Sequence, residues 1–365
     1  MHRKNVDKIF LIIVGLLVLS GFFIFSSASL GLLTREGARM SSIMFNQIAL
    51  GLVLGLTAMF ITSRVHYTHY RKYAFYIFLF ALFLTAMVFV PFLGMEHGGA
   101  KRWIKIAGQT FQPSELLKLA FVIYLSAWLA SVKGMIKNLK YGFFPLLGMI
   151  VISGAVILKQ PDTGTFLVLA IAGFCIFFAA EAKWSHLFGL VGVALAGAGG
   201  WIMMKPYVLQ RIVTFLNPSA DSLGAGYQIK QSLIAVGSGE WFGRGFGKSI
   251  QKFNYLPEPI GDSIFAVTAE EWGFVGSVLL ISLFLAFAFR GFQIASKSDS
   301  TFGRLLAVGI VILIVSQSFI NMASMLGIFP LTGIPLLFVS HGGTALFITL
   351  LEVGIILNIS RYQKR

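Results

Sequence analysis

Long apolar runs recur through the whole chain, near residues 9–28, 44–63, 73–94, 116–132, 141–158, 165–182, 186–204, 264–289, 305–326 and 343–360. Most reach or approach the roughly 20 residues a helix needs to cross a bilayer. The pattern predicts an all-α polytopic membrane protein of about ten transmembrane helices, with no soluble domain of any size. Residues 1–365 then form a single membrane domain, and 204–263 form a large extracytoplasmic loop between the seventh and eighth spans. Composition agrees: 57% of residues are hydrophobic and 12% charged, where a soluble protein carries about twice that share of charge. The first run is long enough to span and lacks a small-residue cleavage site, so it reads as a helix and not a signal peptide. Gly51 and Gly55 have the spacing that lets membrane helices approach closely, although a chance spacing explains one pair equally well.

The net charge of +15 does not mark a nucleic-acid protein, because Lys and Arg stand in small groups between apolar runs and form no continuous stripe. Arg3, Lys4 and Lys8, then Arg64, Arg71 and Lys72, then Lys133, Lys137 and Lys140, then Arg290 and Lys297, and finally Arg361, Lys364 and Arg365 fall on one side. That side is expected to be cytoplasmic, with both termini inside. Two opposite-side segments also carry cations: 96–114, with Lys101, Arg102 and Lys105, and 205–261. They are either solvated loops or a holder for an anionic ligand at the outer surface. The second is too long for a turn and contains Pro206, Pro218, Pro257 and Pro259, which points to an ordered loop with re-entrant or amphipathic pieces. Cys175 lies inside an apolar run and can form no internal disulfide.

Few acids can do chemistry here. The outer set is Glu36, Glu96, Glu115, Asp162, Asp221, Glu240, Glu258 and Asp262, with the pair Glu270 and Glu271 inside a span. In QPSELLK (112–118), Pro113 starts a helix and puts Glu115 and Lys118 on one face at i, i+3, as a structural ion pair or a ligand site. In QPDTGT (160–165), Asp162 sits at a helix N-terminus, where capping is its simplest role. GRGFGKS (243–249) fails both the Walker A and the dinucleotide spacing, so it binds no nucleotide. No His/Cys cluster has metal-ligand spacing. Asp262 stands in a Pro/Gly stretch at the lip of the eighth span, half-desolvated yet reachable from water. Such a carboxylate suits a general base of raised pKa, but on the residues alone a helix N-cap is its favoured role.

Taken together, GAKRWIKIAGQTFQPSELLKLA (99–120), QPDTGT, the run 211–276 from RIVTFLNPSAD to AEEWGFVG, and NMASMLGIFPLTGIPLLFVSHGGTAL (321–346) resemble the SEDS family of polytopic membrane proteins, to which FtsW and RodA belong. The run GRGFGKSIQKFNYLPE resembles the division (FtsW) branch more than the elongation (RodA) branch. Departures fall at Asn46, Ser263, His341, Thr344 and Ala345, and leave Asp262 intact. The resemblance implies a peptidoglycan glycosyltransferase that polymerises lipid II at the outer face of a bacterial cytoplasmic membrane, at the division septum. It implies Asp262 as the base, and Lys101, Arg102, Lys118 and Arg211 as holders of the pyrophosphate, with Glu115 orienting Lys118. Gln112, Ser114, Asp162 and Ser340 would support the cavity. No definite cofactor is implied, and a divalent cation (Mg2+ or Mn2+) is compatible. Expected partners are lipid II, a class B penicillin-binding protein transpeptidase, other divisome proteins and membrane lipids. A lipid II flippase and a scaffold for the transpeptidase are the alternatives: the first would move lipid II without making glycan, the second would tolerate loss of Asp262.

Overall fold

The computed structural model describes residues 5–34, 43–97, 100–106, 109–221 and 224–363; Arg3, Lys4, Glu36, Gly98, Gly99, Lys364 and Arg365 lie outside them. Backbone in hydrocarbon must satisfy its own hydrogen bonds, so each apolar run closes into a helix. In chain order the helices are α1 (Lys8–Ser29), α2 (Leu54–Arg64, extended at its start by a π-helical stretch Asn46–Val53), α3 (Thr68–Ala86), α4 (Pro113–Ser131), α5 (Phe144–Lys159), α6 (Thr163–Ala179), α7 (Trp184–Met204), α8 (Pro206–Leu216), α9 (Ala225–Ser238), α10 (Ile264–Ser296), α11 (Thr301–Met325) and α12 (Gly343–Ser360). Among the described residues, nine helical segments are long and apolar enough to cross a membrane, and α6, at 17 residues, is a shorter apolar helix packed among them. Each expected run has its helix. The Gly-rich stretch 189–200 is continuous α7, and the loop 205–263 contains α8 and α9.

Helices α4, α11 and α12 form the centre of the bundle, while α7 stands at its edge with nearly all its surface exposed. The glycine pair does bring two helices together. A Cβ on Gly55 would come within 2.7 Å of Leu350 Cδ1 and 3.3 Å of Phe347 Cα, and one on Gly51 within 3.3 Å of Gly343 Cα. At one end of the bundle, Arg290 Nη2 meets Asp7 Oδ2 at 2.7 Å and the Tyr67 amide donates to Asn358 Oδ1 at 2.9 Å, tying α1, α10, α3 and α12.

The opposite end holds everything else of interest. Residues 94–111, expected as loop, form a three-stranded antiparallel sheet in the order β1 (Gly94–His97), β2 (Ala100–Ile106), β3 (Gln109–Phe111), with Gly94 opposite Ile104 and Ile104 opposite Phe111. The period of two sends Arg102 and Ile104 inward and Lys101 and Lys105 outward.

Candidate active site

Asp262 stands two residues before α10, where the chain leaves a run of turns. It does not cap that helix: Ser263 is the flanking residue, and no side chain bonds the first-turn amides. The backbone around Asp262 is clamped instead. Asn321, near the end of α11, donates from Nδ2 to the Asp262 carbonyl (2.8 Å) and to the Ile334 carbonyl (2.9 Å). Ser340 Oγ donates to the Gly261 carbonyl (2.6 Å), and the His341 amide to the Ile260 carbonyl (2.7 Å). Gln47 holds the far side of the same strap, donating to the Ser340 carbonyl and accepting from the Gly342 amide. Ser340 thus supports the site through the backbone of residue 261.

The carboxylate itself accepts from Gln228 Nε2 on α9 at 3.2 Å, and the same amide nitrogen donates to Ser263 Oγ at 2.9 Å. Asp262 keeps a partly open surface, yet protein surrounds it deeply enough for burial to be the main influence on its proton. Burial first, and the Glu258 charge second, raise its pKa to about 6, against the opposing hydrogen bond from Gln228 and those of the Asp262 and Ser263 amides. Gln228 and Asn321 were not singled out from sequence, because each lies many residues from Asp262 in a segment with no motif of its own, and only the fold brings them together; Glu258 was named only as one of the outer acids.

One turn of α9 before Gln228, Ala225 lines a cavity of about 440 Å³ together with Ala100, Arg102, Pro161, Tyr207, Gln210, Arg211, Thr214 and Asp221. Its two arginines come from different elements. Arg102 projects from β2, donates through Nη2 to the Pro161 carbonyl (2.6 Å), and lies 3.7 Å from Asp162 Oδ2. Arg211 projects from α8 and donates to Thr163 Oγ1 at 3.3 Å. Burial, then the neighbouring Arg102, pull the Arg211 pKa below its usual value, while Tyr207, Asp162 and Asp262 oppose them. A guanidinium stays charged at neutral pH all the same. Two like charges are therefore held side by side in a half-buried wall, which favours an anion between them. The Arg102 Nε and the Tyr207 hydroxyl are buried without a hydrogen-bond partner among the described residues, so the wall has donors to spare.

Asp162 caps α6, accepting from the Thr165 amide (3.2 Å) and hydroxyl (2.9 Å), and adds the Arg102 contact; capping and cavity support coincide in one residue. Asp221 accepts from the Gly224 and Ala225 amides. Among the described residues, no group of three His, Cys, Asp or Glu side chains converges.

Lys101 and Lys118 do not join the arginines at the cavity. Strand alternation turns Lys101 outward, where its exposed ammonium meets Glu96 at 3.8 Å. Lys118, on α4, is buried within the bundle, 3.0 Å from Glu115 and hydrogen-bonded to Gln317 Oε1, with Glu352 of α12 in electrostatic range. Gln317 in turn donates to the Pro335 carbonyl at 3.3 Å. The Glu115–Lys118 pair therefore braces the strap 330–342 that holds Asp262 from behind. Gln112 Nε2 donates to Ser114 Oγ (3.2 Å), and the Gln112 amide to Thr344 Oγ1 (3.4 Å), joining the starts of α4 and α12 at the same end.

The intramembrane pair Glu270 and Glu271 is fully engaged by the loop before it. Glu271 accepts from Ser27 Oγ (2.5 Å), Lys252 Nζ (2.7 Å) and the amides of Gly247 and Ser249. Glu270 accepts from Ser249 Oγ (2.5 Å) and the amides of Ile250 and Gln251. Gly243, Gly245 and Gly247 all have positive φ, which turns successive amides to one side. GRGFGKS is thus an anion-cradling loop in the physical sense, and its anions are the protein's own carboxylates.

A polytopic helical bundle that holds a strapped carboxylate and a two-arginine cavity on neighbouring turns of one helix defines a class of membrane-embedded protein able to act on an anionic substrate. Residues 7–365 match the family described as "Cell cycle protein" (FTSW_RODA_SPOVE), and the chain belongs to that family. It is 39% identical to stage V sporulation protein E of Bacillus subtilis (strain 168) over 85% of either chain. It is 36% identical to the "Probable peptidoglycan glycosyltransferase FtsW" of Trichlorobacter lovleyi, covering 97% of this chain and 93% of that one. Among solved structures it resembles a chain of a peptidoglycan synthase complex described as coordinating polymerization and crosslinking (TM-score 0.80, 29% identity, 98% of this chain and 99% of that one). It also resembles the rod shape determining protein RodA of Thermus thermophilus (TM-score 0.71, 27% identity, 98% of each).

Proposed function

We propose that this chain is a peptidoglycan glycosyltransferase of the FtsW type, polymerising lipid II at the outer face of the cytoplasmic membrane, with Asp262 as the general base. The observation that carries the reading is helix α9, on which Ala225 lines the two-arginine cavity and Gln228, one turn further on, donates to Asp262 Oδ1. Asp262 takes the proton of the acceptor sugar hydroxyl as its oxygen bonds the donor's anomeric carbon. The bond from that carbon to the pyrophosphate breaks, and the electron pair leaves with the pyrophosphate. Arg102 and Arg211 meet the charge that develops there. Gln228 is a positioning residue that sets the direction of the carboxylate, and Glu115 and Lys118 act from behind, through Gln317 and the strap. The donor arrives already activated on its lipid, so no nucleotide is needed, and no step runs through a metal.

The test is direct. Purified protein, with and without a class B penicillin-binding protein, is mixed with lipid II and the products are resolved on a gel; glycan polymer is expected. Transport of labelled lipid II across vesicles with no polymer formed would favour the flippase instead. Because the base must be ionised, the rate is expected to rise with pH through about 6 and level off above it. A flat rate between pH 5 and 7 would count against Asp262.

In this reading both termini are cytoplasmic and the end carrying Asp262 faces outward. Cysteines introduced at Ser219 and Asn254 are then expected to react with membrane-impermeant thiol reagents on intact cells, and terminal tags are not. Protection of both cysteines would invert the topology. A single-span transpeptidase is the expected companion, and copurification checks it.

A further inference from the structure

Helix α8 presents two unlike faces. Tyr207, Gln210, Arg211 and Thr214, at i, i+3, i+4 and i+7, line the cavity. On the other side Leu209, Val213 and Leu216, at i, i+4 and i+7, are 50%, 46% and 75% exposed. That apolar row continues into Met203 and Met204, both exposed, at the end of α7, a membrane-length apolar helix. Between the two helices the backbone of Lys205 is extended, which breaks the axis, and its exposed ammonium lies 5.5 Å from the Trp201 ring. A cation and a Trp at the end of a span are the usual markers of the lipid headgroup level.

We propose that α8 lies in the bilayer interface, its apolar row seated among phospholipid chains just below the headgroups and its polar row forming one wall of the cavity. The occupant of the exposed face is the membrane itself, because the row continues a membrane-facing surface and Lys205 complements anionic headgroups. A helix is about 10 Å across, so only that thickness separates the bilayer from Arg211. Resting on the glycosyltransferase reading, this makes α8 a sill: a lipid-borne diphosphate reaches the arginines sideways while its hydrocarbon chain stays in the membrane.

Single cysteines at Leu209, Val213, Gln210 and Thr214, in a Cys175→Ala background, would carry an environment-sensitive fluorophore in vesicles of phosphatidylcholine and phosphatidylglycerol. A nitroxide placed on the lipid chain near its ester end is expected to quench Leu209 and Val213 labels about two- to threefold more than Gln210 and Thr214 labels, as an interfacial helix requires. Equal quenching on both faces, or stronger quenching of the apolar face by aqueous iodide, would overturn the placement and leave that face to solvent or a protein partner. Leu216→Glu is expected to raise the KM for lipid II several-fold with kcat retained, and Leu216→Met to restore it; an unchanged KM in both would remove the sill. The quenching result is independent of Asp262. If the parent protein forms no polymer from lipid II while the quenching pattern holds, the glycosyltransferase reading falls and the interfacial helix stands.

Discussion

Replacing Asp262 by Asn is expected to lower lipid II polymerisation by roughly two to four orders of magnitude, the usual contribution of a positioned general base, with much less change in lipid II binding. Asn has nearly the same size, keeps an oxygen that accepts from Gln228, and leaves the backbone clamps from Asn321, Ser340 and His341 untouched. What it lacks is a site for the proton. Asp221→Asn is the matched control: Asp221 lines the cavity, and its two oxygens accept from the Gly224 and Ala225 amides, of which Asn keeps one bond, so a far milder loss is expected. Polymer yields from the two variants in the same gel assay decide the matter. Near-normal synthesis by Asp262→Asn would take this residue out of the mechanism. Glu258→Gln sharpens the test, because the Glu258 charge helps raise the Asp262 pKa; its loss is expected to move the acid limb of the pH profile to lower pH.

The second large effect concerns stability. Lys252 is wholly buried and its ammonium has Glu271, at 2.7 Å, as its ion-pair partner. Glu271→Ala leaves that charge in the interior with only the Ser27 oxygens, and removing one member of a buried pair costs about 3–5 kcal/mol. It also frees the Ser249 amide and leaves the Gly247 amide with Ser27 Oγ. A drop in Tm in detergent, with loss of the monodisperse peak on gel filtration, is expected. The double variant Glu271→Leu with Lys252→Met removes both charges and is expected to recover part of the loss, since apolar replacement of a whole pair is often tolerated. A Glu271→Ala protein as stable as the parent would show that water reaches Lys252.

The helices were legible in the sequence because hydrocarbon leaves the backbone one local solution, and an uninterrupted apolar run reports it. The sheet at 94–111 was not. In AKRWIKI the alternation is carried by charged residues, so it reads as a polar loop until Arg102 is seen turned inward onto Pro161. Asp262, Arg102 and Arg211 were named as site residues through the family resemblance, and Lys101 and Lys118 with them. A sequence motif says nothing of side-chain direction: Lys101 follows the strand outward to Glu96, and Lys118 follows α4 into the bundle. Gln228 and Asn321 gave no signal because a neutral amide is unremarkable until its partner is known. The rejected phosphate-loop likeness of GRGFGKS had physical content after all, and the anion it cradles lies some twenty residues downstream in sequence.

That last arrangement constrains biosynthesis. The loop 239–252 leaves the ribosome before α10, yet the groups that satisfy its amides, Glu270 and Glu271, belong to α10. At about 5–20 residues per second of synthesis, the loop must wait on the order of seconds, hydrated, until α10 has been made and inserted. Lys252 can leave water only then. Closing of the glycine loop therefore follows the completion of α10, whose two glutamates supply the loop's amides and Lys252 with their partners.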